Sequence, residues 1–333
     1  MEKRDGKEIY GKEIYGKERD RKERHVEKRD IRRMKILVIG GSYFYGRVFV
    51  MLTAPQHEIT VVNRGTYSMA DMGVAQVRGD RRDPTLWRNM SEGYDIVVDF
   101  CAYKAGDIRN VLDNISVKPS QYIHISTVDV YRRGSGVCKA EDAPYEDRRL
   151  PGEAGEYIAG KVALEKELRQ VCEEREVAWA VLRPGILYGP YNYAPRESAY
   201  IQLMVRRQIL PRITDADGRF QLVYVKDAAE AIQKCLLNER TYSNAYNICN
   251  REPETYGSLA DMLLKVSGLS VQELPMTVKQ AEQQGIPLPF AVREAETELY
   301  DNAKSIQDLG MIYTSFEEGM GKTYRAFRNV FAE

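Results

Sequence analysis

The chain predicts an α/β fold: a doubly wound parallel sheet followed by a smaller C-terminal region. Three observations carry this. From Met34 onward, apolar runs of four to six residues alternate with helical stretches, the pattern of buried parallel strands covered on both faces. A glycine-bearing turn joins the first such run to the first helix. After Arg183 the alternation loosens into Pro-rich connections, as a region closing over one edge of a sheet would.

The elements follow in order. The first thirty residues repeat on a five-residue period (MEKRD, GKEIY, GKEIY, GKERD, RKERH, VEKRD). Five matches neither 3.6 nor a heptad, so no apolar face forms, and Gly6, Gly11 and Gly16 weaken any helix. A charged, low-complexity, disordered extension is expected. Strands are expected at Ile36–Gly40, Glu58–Val62, Ile96–Phe100, Tyr122–Ser126 and Ala178–Arg183. Helices are expected at Gly46–Leu52, Pro84–Met90, Gly106–Ile115 and Tyr157–Glu173. Later come a strand near Phe220–Val225 and helices near Asp227–Leu237, Tyr256–Val266 and Phe316–Phe327.

Composition narrows the class. The 333 residues are 43% hydrophobic and hold 49 Lys+Arg against 49 Asp+Glu. The first 33 carry 13 basic and 9 acidic residues, a net of +4, which leaves 36 against 40, or −4, for the body. A mildly acidic body argues against nucleic acid as a partner. No apolar run approaches the roughly 18 residues of a membrane span, and no apolar h-region marks a secretory signal. Cys101, Cys138, Cys172, Cys235 and Cys249 are odd in number and form no C-x-x-C pair, so reduced thiols in a cytoplasmic protein are expected. With only His25, His57 and His124, no metal site is expected. His124 lies in an apolar strand and reads as a satisfied core histidine, while Trp87 and Trp179 read as packing residues.

The turn Gly40-Gly41-Ser42-Tyr43-Phe44-Tyr45-Gly46 sits between the first strand and the first helix. Glycine is needed where the chain turns sharply and where backbone approaches a pyrophosphate that faces a helix N-terminus. The middle glycine of the usual spacing is Tyr43 here. The second strand ends Asn63-Arg64-Gly65, with Asn63 23 residues past Gly40. An NAD-selective site places an acid there; Arg64 suits a 2′-phosphate instead, so the reading leans to NADP over NAD. Asp80 of Gly79–Asp83 is placed to accept from the adenine amino group, and either Asp80 or Asp83 caps the helix at Pro84. Residues 34–183, with part of 220–250, are thus expected to form the dinucleotide-binding domain, and 184–333 mainly the substrate-binding region.

Tyr157 and Lys161 stand one helical turn apart at the start of a predicted helix. A phenol with a pKa near about 10 is a poor base at neutral pH. A neighbouring ammonium favours the phenolate and suits it to acid–base work on a hydroxyl or carbonyl. The strand Tyr122–Ser126 delivers Thr127 to the same sheet edge.

These segments, with Leu182-Arg183-Pro184 and Tyr188-Gly189-Pro190, resemble the extended short-chain dehydrogenase/reductase superfamily, in its NAD-dependent epimerase/dehydratase branch, over about residues 34–315. The atypical turn is most similar to a subgroup that includes the chloroplast stem-loop RNA-binding proteins. The resemblance implies a Rossmann-type sheet, with Tyr157 as the acid–base, Lys161 on the nicotinamide ribose and Thr127 on the reacting oxygen. It implies cofactor contacts from Gly40, Gly41, Ser42, Phe44, Tyr45, Gly46, Asn63, Arg64, Asp80, Arg81, Cys101, Ala102 and Pro184. Arg196, Arg219 and Arg293 are implied substrate contacts. The implied activity is NAD(P)-dependent oxidoreduction or epimerisation of a secondary alcohol or ketone, of a nucleotide sugar or related polar metabolite; a homodimer is compatible with it. Sugar-nucleotide 4,6-dehydratases follow the threonine with Asp-Glu, whereas Val128-Asp129 stands here, so dehydration is disfavoured. The alternative is a nonenzymatic RNA-binding or cofactor-sensing protein on the same fold.

Overall fold

The computed structural model describes residues 33–134 and 138–332. The expected disordered extension lies outside the described residues. The first strand, β1 (Lys35–Ile39), alternates Ile36 and Val38 towards one side with Leu37 and Ile39 towards the other, and all four are 0–1% exposed. A strand buried on both faces must have helices on both, and the sequence supplies them.

On one side lies α1 (Phe44–Thr53). Then come β2 (Glu58–Asn63), β3 (Ala75–Arg78), the short α2 (Pro84–Arg88) and β4 (Ile96–Asp99). The other side is covered by α3 (Asp107–Asn114) and, after β5 (Gln121–Ile125), by the long α4 (Gly152–Arg175). Asp83 is the residue that caps α2, accepting from Thr85 N at 2.9 Å with Pro84 at the first helical position. Asp80 accepts instead from Arg82 N within a turn.

Beyond β6 (Ala178–Pro184) the chain makes β7 (Ile186–Tyr188), α5 (Glu197–Arg207), β8 (Ile209–Ile213), β9 (Leu222–Tyr224) and α6 (Val225–Cys235). It then returns to the main sheet as β10 (Asn244–Ile248). The remainder is α7 (Tyr256–Ser267), β11 (Gln272–Met276), α8 (Val278–Gln283), α9 (Ala303–Leu309) and α10 (Phe316–Ala332). The main sheet is seven-stranded and parallel throughout, in the order β10-β6-β5-β4-β1-β2-β3. This is the Rossmann-type doubly wound arrangement. Two small parallel pairs, β8–β11 and β7–β9, stand outside it.

Strand order reverses at β1, and the loops leaving β1, β4, β5 and β6 open on one carboxyl edge, where ligands bind in such sheets. Two apolar layers, one under α1 and α6 and the other under α3 and α4, hold the sheet rigid. A third cluster around Tyr200, Ile201, Met204, Phe220 and Phe290 belongs to the C-terminal region. Each such side chain taken fully out of water contributes about 1.5–3 kcal/mol.

Several boundaries differ from the sequence reading by one to five residues. The helix carrying Tyr157 starts at Gly152, five residues before the tyrosine, so Tyr157 sits in its second turn and not at its opening. A Cβ on Gly155 would collide with the Leu150 carbonyl, so only glycine lets this helix start so close to the preceding chain. Likewise α6 begins at Val225, directly after β9, two residues earlier than its periodicity suggests.

Candidate active site

Gly40 and Gly41 leave β1 at φ +90° and +67°, values open to glycine, while the Gly40 amide bonds the Val62 carbonyl at 2.8 Å. A Cβ on Gly46 would run into the Gly41 backbone, so the helix packs against its own turn only because both residues are glycine. Tyr43, in the missing glycine's place, is extended, and the positive φ passes to Phe44 at +40°. No side chain caps α1 and no acid stands in its first turn. Its first amides therefore point out of the fold with the dipole behind them, a cradle that fits a dinucleotide pyrophosphate.

The neighbouring strand ends are more committed. Asn63 Oδ1 accepts from Gly65 N at 2.7 Å and Gln76 Nε2 at 2.9 Å, and Arg64 is exposed and forms no ion pair among the described residues. Arg81 grips Asp99 with two bonds of 2.7 and 2.8 Å and also reaches the Asp107 carbonyl. Burial pushes the Asp99 carboxyl up, but the Arg81 charge and bonds prevail and hold it at about 2. Cys101 beside this pair is no thiolate: burial and the Asp99 charge push its thiol to about 11. Ala102 is buried and offers its carbonyl to Lys161.

A cavity of about 540 Å³ opens at the carboxyl edge, lined by Phe44, Tyr45, Thr127, Tyr157, Lys161 and Pro184 together with residues of the C-terminal region. That volume is in the range of small-molecule sites. Gly40, Gly41, Ser42, Gly46, Asn63, Arg64, Asp80, Arg81, Cys101 and Ala102 lie outside its wall. Of the three arginines named from sequence, Arg196 and Arg219 line the cavity and Arg293 does not.

Thr127 caps a short turn, accepting from Asp129 N at 3.2 Å and donating to Asp129 Oδ2 at 3.1 Å; Asp129 in turn binds Arg133 at 3.0 Å. Tyr157, 40% exposed, hydrogen-bonds the Thr127 side chain. Lys161 is 2% exposed and donates to the carbonyls of Ile125 at 2.8 Å and Ala102 at 3.0 Å, leaving one ammonium proton for a ligand. Burial lowers this ammonium to about 8. The phenol does not follow the sequence expectation. Burial, then the Asp129 carboxylate, push Tyr157 above its ordinary value, and the Thr127 bond only partly opposes them. Lys161 Nζ lies 6.0 Å from the Tyr157 ring centroid, with two of its protons spent on carbonyls, so its charge alone does not produce a phenolate here.

Beneath the trio lies a network the sequence reading did not assemble. Glu165 Oε1 and Oε2 accept from Arg183 Nε and Nη2 at 3.0 and 2.6 Å, and Ser126 and Tyr145 donate to the same carboxylate. Arg183 also reaches the Tyr131 hydroxyl at 2.7 Å. Ser126 and Tyr131 flank Thr127, so the buried pair fixes the loop that presents it. The signal was present: Glu165 is four residues after Lys161, on the same helix face. His124 is a core residue, fully buried, but not the satisfied one expected, because neither ring nitrogen has a partner; burial holds it well below its ordinary range, hence neutral.

Residues 108–249 match the NAD dependent epimerase/dehydratase family. Over that stretch the chain is similar to the family. Among curated relatives, a chloroplast stem-loop binding protein of Arabidopsis thaliana is 26% identical over 257 residues, covering 72% of this chain. This chain spans only 65% of that protein's length. A 2-alkyl-3-oxoalkanoate reductase of Stenotrophomonas maltophilia is 26% identical over 278 residues, 76% of this chain and 81% of that one. Among solved folds, the UDP-glucose 4-epimerase of Thermotoga maritima superposes with a TM-score of 0.71 at 20% identity, over 89% of this chain and 99% of that one. Members of the family are bound to resemble one another in the sheet; the walls of the cavity are where they part. Among the described residues no helix is long and apolar enough to cross a membrane.

Proposed function

We propose that the protein is an NAD(P)-dependent oxidoreductase or epimerase acting on a secondary alcohol or ketone of a polar, anionic metabolite, with Tyr157 as the acid–base. The supporting observation is the meeting of Thr127, Tyr157 and Lys161 on one cavity wall beside an uncapped, glycine-turned helix. Gly40, Gly41 and Gly46 shape the pyrophosphate cradle, and the free Lys161 proton serves the nicotinamide ribose. Arg64, exposed and in no ion pair among the described residues, favours the 2′-phosphate of NADP. The nicotinamide, when bound, supplies or accepts the hydride.

Tyr157 then exchanges a proton with the substrate oxygen, and Thr127 orients that oxygen. A high phenol pKa makes Tyr157 an acid in reserve: it holds its proton until the site's charge changes on loading. Val128, buried and apolar, leaves no acid where a dehydratase needs one, so elimination of water is disfavoured. A nucleotide sugar is one anionic substrate consistent with the Thermotoga likeness, and an oxoacid is the one named by the Stenotrophomonas relative. A stem-loop-binding role, as in the name of the Arabidopsis relative, makes no use of the trio. The test is the nucleotide released when the purified protein is denatured, identified by mass spectrometry, followed by nicotinamide absorbance assays on ketones. Release of NADP and reduction of a ketone are expected; absence of any nicotinamide nucleotide, bound or bindable, would contradict the proposal.

A further inference from the structure

Tyr43 stands where the usual turn has its middle glycine, and the proton transfer makes no use of it. Its ring stacks on Tyr67, from the loop between β2 and β3, with centroids 4.6 Å and planes 12° apart. It also meets Tyr193, from the loop between β7 and α5, at 5.1 Å. The same Tyr193 ring stands edge-on to Phe44 at 6.2 Å. Tyr43 and Phe44 open the helix whose first amides form the pyrophosphate cradle, so three separate segments bring rings together on the phosphate rim.

Tyr193 belongs to the catalytic rim as well. It lines the cavity with Tyr103, Tyr157 and Lys161. Burial leads the causes that push the Tyr157 and Tyr103 hydroxyls up, and the Tyr193 phenol is among the lesser ones. The side chain therefore spans the crevice from one rim to the other. Its loop holds it there. Buried Glu197 accepts from Gly189 N at 3.2 Å and from Asn192 Nδ2 at 3.0 and 3.2 Å, and Asn192 Oδ1 accepts from Ala194 N at 3.0 Å. Tyr191 adopts φ +68°, a left-handed value costly for a residue other than glycine, and its ring lies 5.7 Å from the Arg47 guanidinium of α1. The neighbours on both sides of Tyr193 are thus fixed, while its own ring, 68% exposed, has room to swing.

We propose that Tyr193, closed on Tyr43 and Phe44, is a clasp across the dinucleotide crevice, and that parting these rings limits entry and release of the nicotinamide nucleotide. The proposal rests on the NAD(P) reading and adds to that site a residue of the C-terminal region. Each aromatic pair is worth roughly 2- to 10-fold in an equilibrium or rate, so the two contacts of Tyr193 together should slow passage by about 10- to 100-fold. The rings touch one another directly and must part whichever way the nucleotide moves. Rates in both directions should therefore change far more than affinity.

The experiment is stopped-flow fluorescence of NADPH, or of NADH should that bind more tightly. Association is followed on mixing, and release by chasing the loaded protein with excess oxidised nucleotide. Tyr193→Ala should speed association and release together by about 10- to 100-fold, with affinity within about 3-fold of wild type. Tyr193→Phe keeps the ring and should match wild type within about 2-fold. Tyr43→Ala should give a smaller acceleration, and the double alanine variant should be no faster than Tyr193→Ala, because the contact is shared. Release within about 2-fold of wild type in Tyr193→Ala would overturn the clasp. So would faster release with unchanged association, which would make Tyr193 a surface that packs on the nucleotide, or effects of the two alanines that simply multiply. Each of these results leaves the oxidoreductase reading standing; a wild-type protein that binds neither nucleotide would sink that reading and the clasp with it.

Discussion

Replacing Arg183 with methionine is the sharpest test of how the site is supported. The residue is 1% exposed and Glu165 0%. The substitution keeps an apolar stem of similar length but removes two bonds to Glu165, one to Tyr131 at 2.7 Å, one to the Glu141 carbonyl at 2.9 Å and one to Tyr145 at 3.0 Å. Glu165 would keep only Ser126 and Tyr145 as partners. Breaking a buried pair on one side costs about 3–5 kcal/mol, since the remaining charge stays desolvated. With a urea slope near roughly 3 kcal/mol per molar, the midpoint should fall by about 1–1.7 M at unchanged slope. The double variant Arg183→Met with Glu165→Leu should recover part of the loss, because no charge is then stranded. Equilibrium urea unfolding followed by circular dichroism reads both. A midpoint shift under about 0.3 M, or a double variant worse than the sum of the singles, would refute the reasoning.

Three further outcomes are expected. Gly46→Ala forces a Cβ into the Gly41 backbone, so it should cost about 1–3 kcal/mol in thermal or urea unfolding and weaken nucleotide binding at the same time; a stable variant with intact binding would contradict the turn's role. Arg64→Gln should weaken NADP roughly 10-fold and leave NAD unchanged, measured by fluorescence titration, whereas equal effects on both would remove Arg64 from 2′-phosphate recognition. Lys161 releases its proton at about 8 in the native protein against an ordinary 10.5, so the penalty for its buried charge is full below pH 8 and is relieved as pH rises to 10.5. Wild-type stability relative to Lys161→Met should therefore climb by about 3 kcal/mol between those limits; a flat difference would mean the ammonium is not desolvated.

The sheet was legible because its strands are short, apolar and buried on both faces, so period and composition agree at β1, β4, β5 and β6. The boundary of α4 was not, because Gly155 looks like a breaker until the Leu150 backbone is seen against it. At the site, Thr127, Tyr157 and Lys161 were readable from spacing and family resemblance. The raised phenol was hidden, since desolvation depends on what closes over the ring. Arg219 and Arg293 looked free in sequence, and their partners Glu294 and Asp215 are 75 and 78 residues away.

The central claim is that the Tyr157 hydroxyl performs the proton transfer in a crevice that holds the nicotinamide. Tyr157→Phe removes one oxygen from a ring already 40% exposed, so fold and crevice should survive. Nucleotide affinity and turnover measured on the same preparation should separate: affinity within about 2-fold of wild type, and turnover down by roughly 10²- to 10⁴-fold. Turnover preserved in the phenylalanine variant would contradict the account.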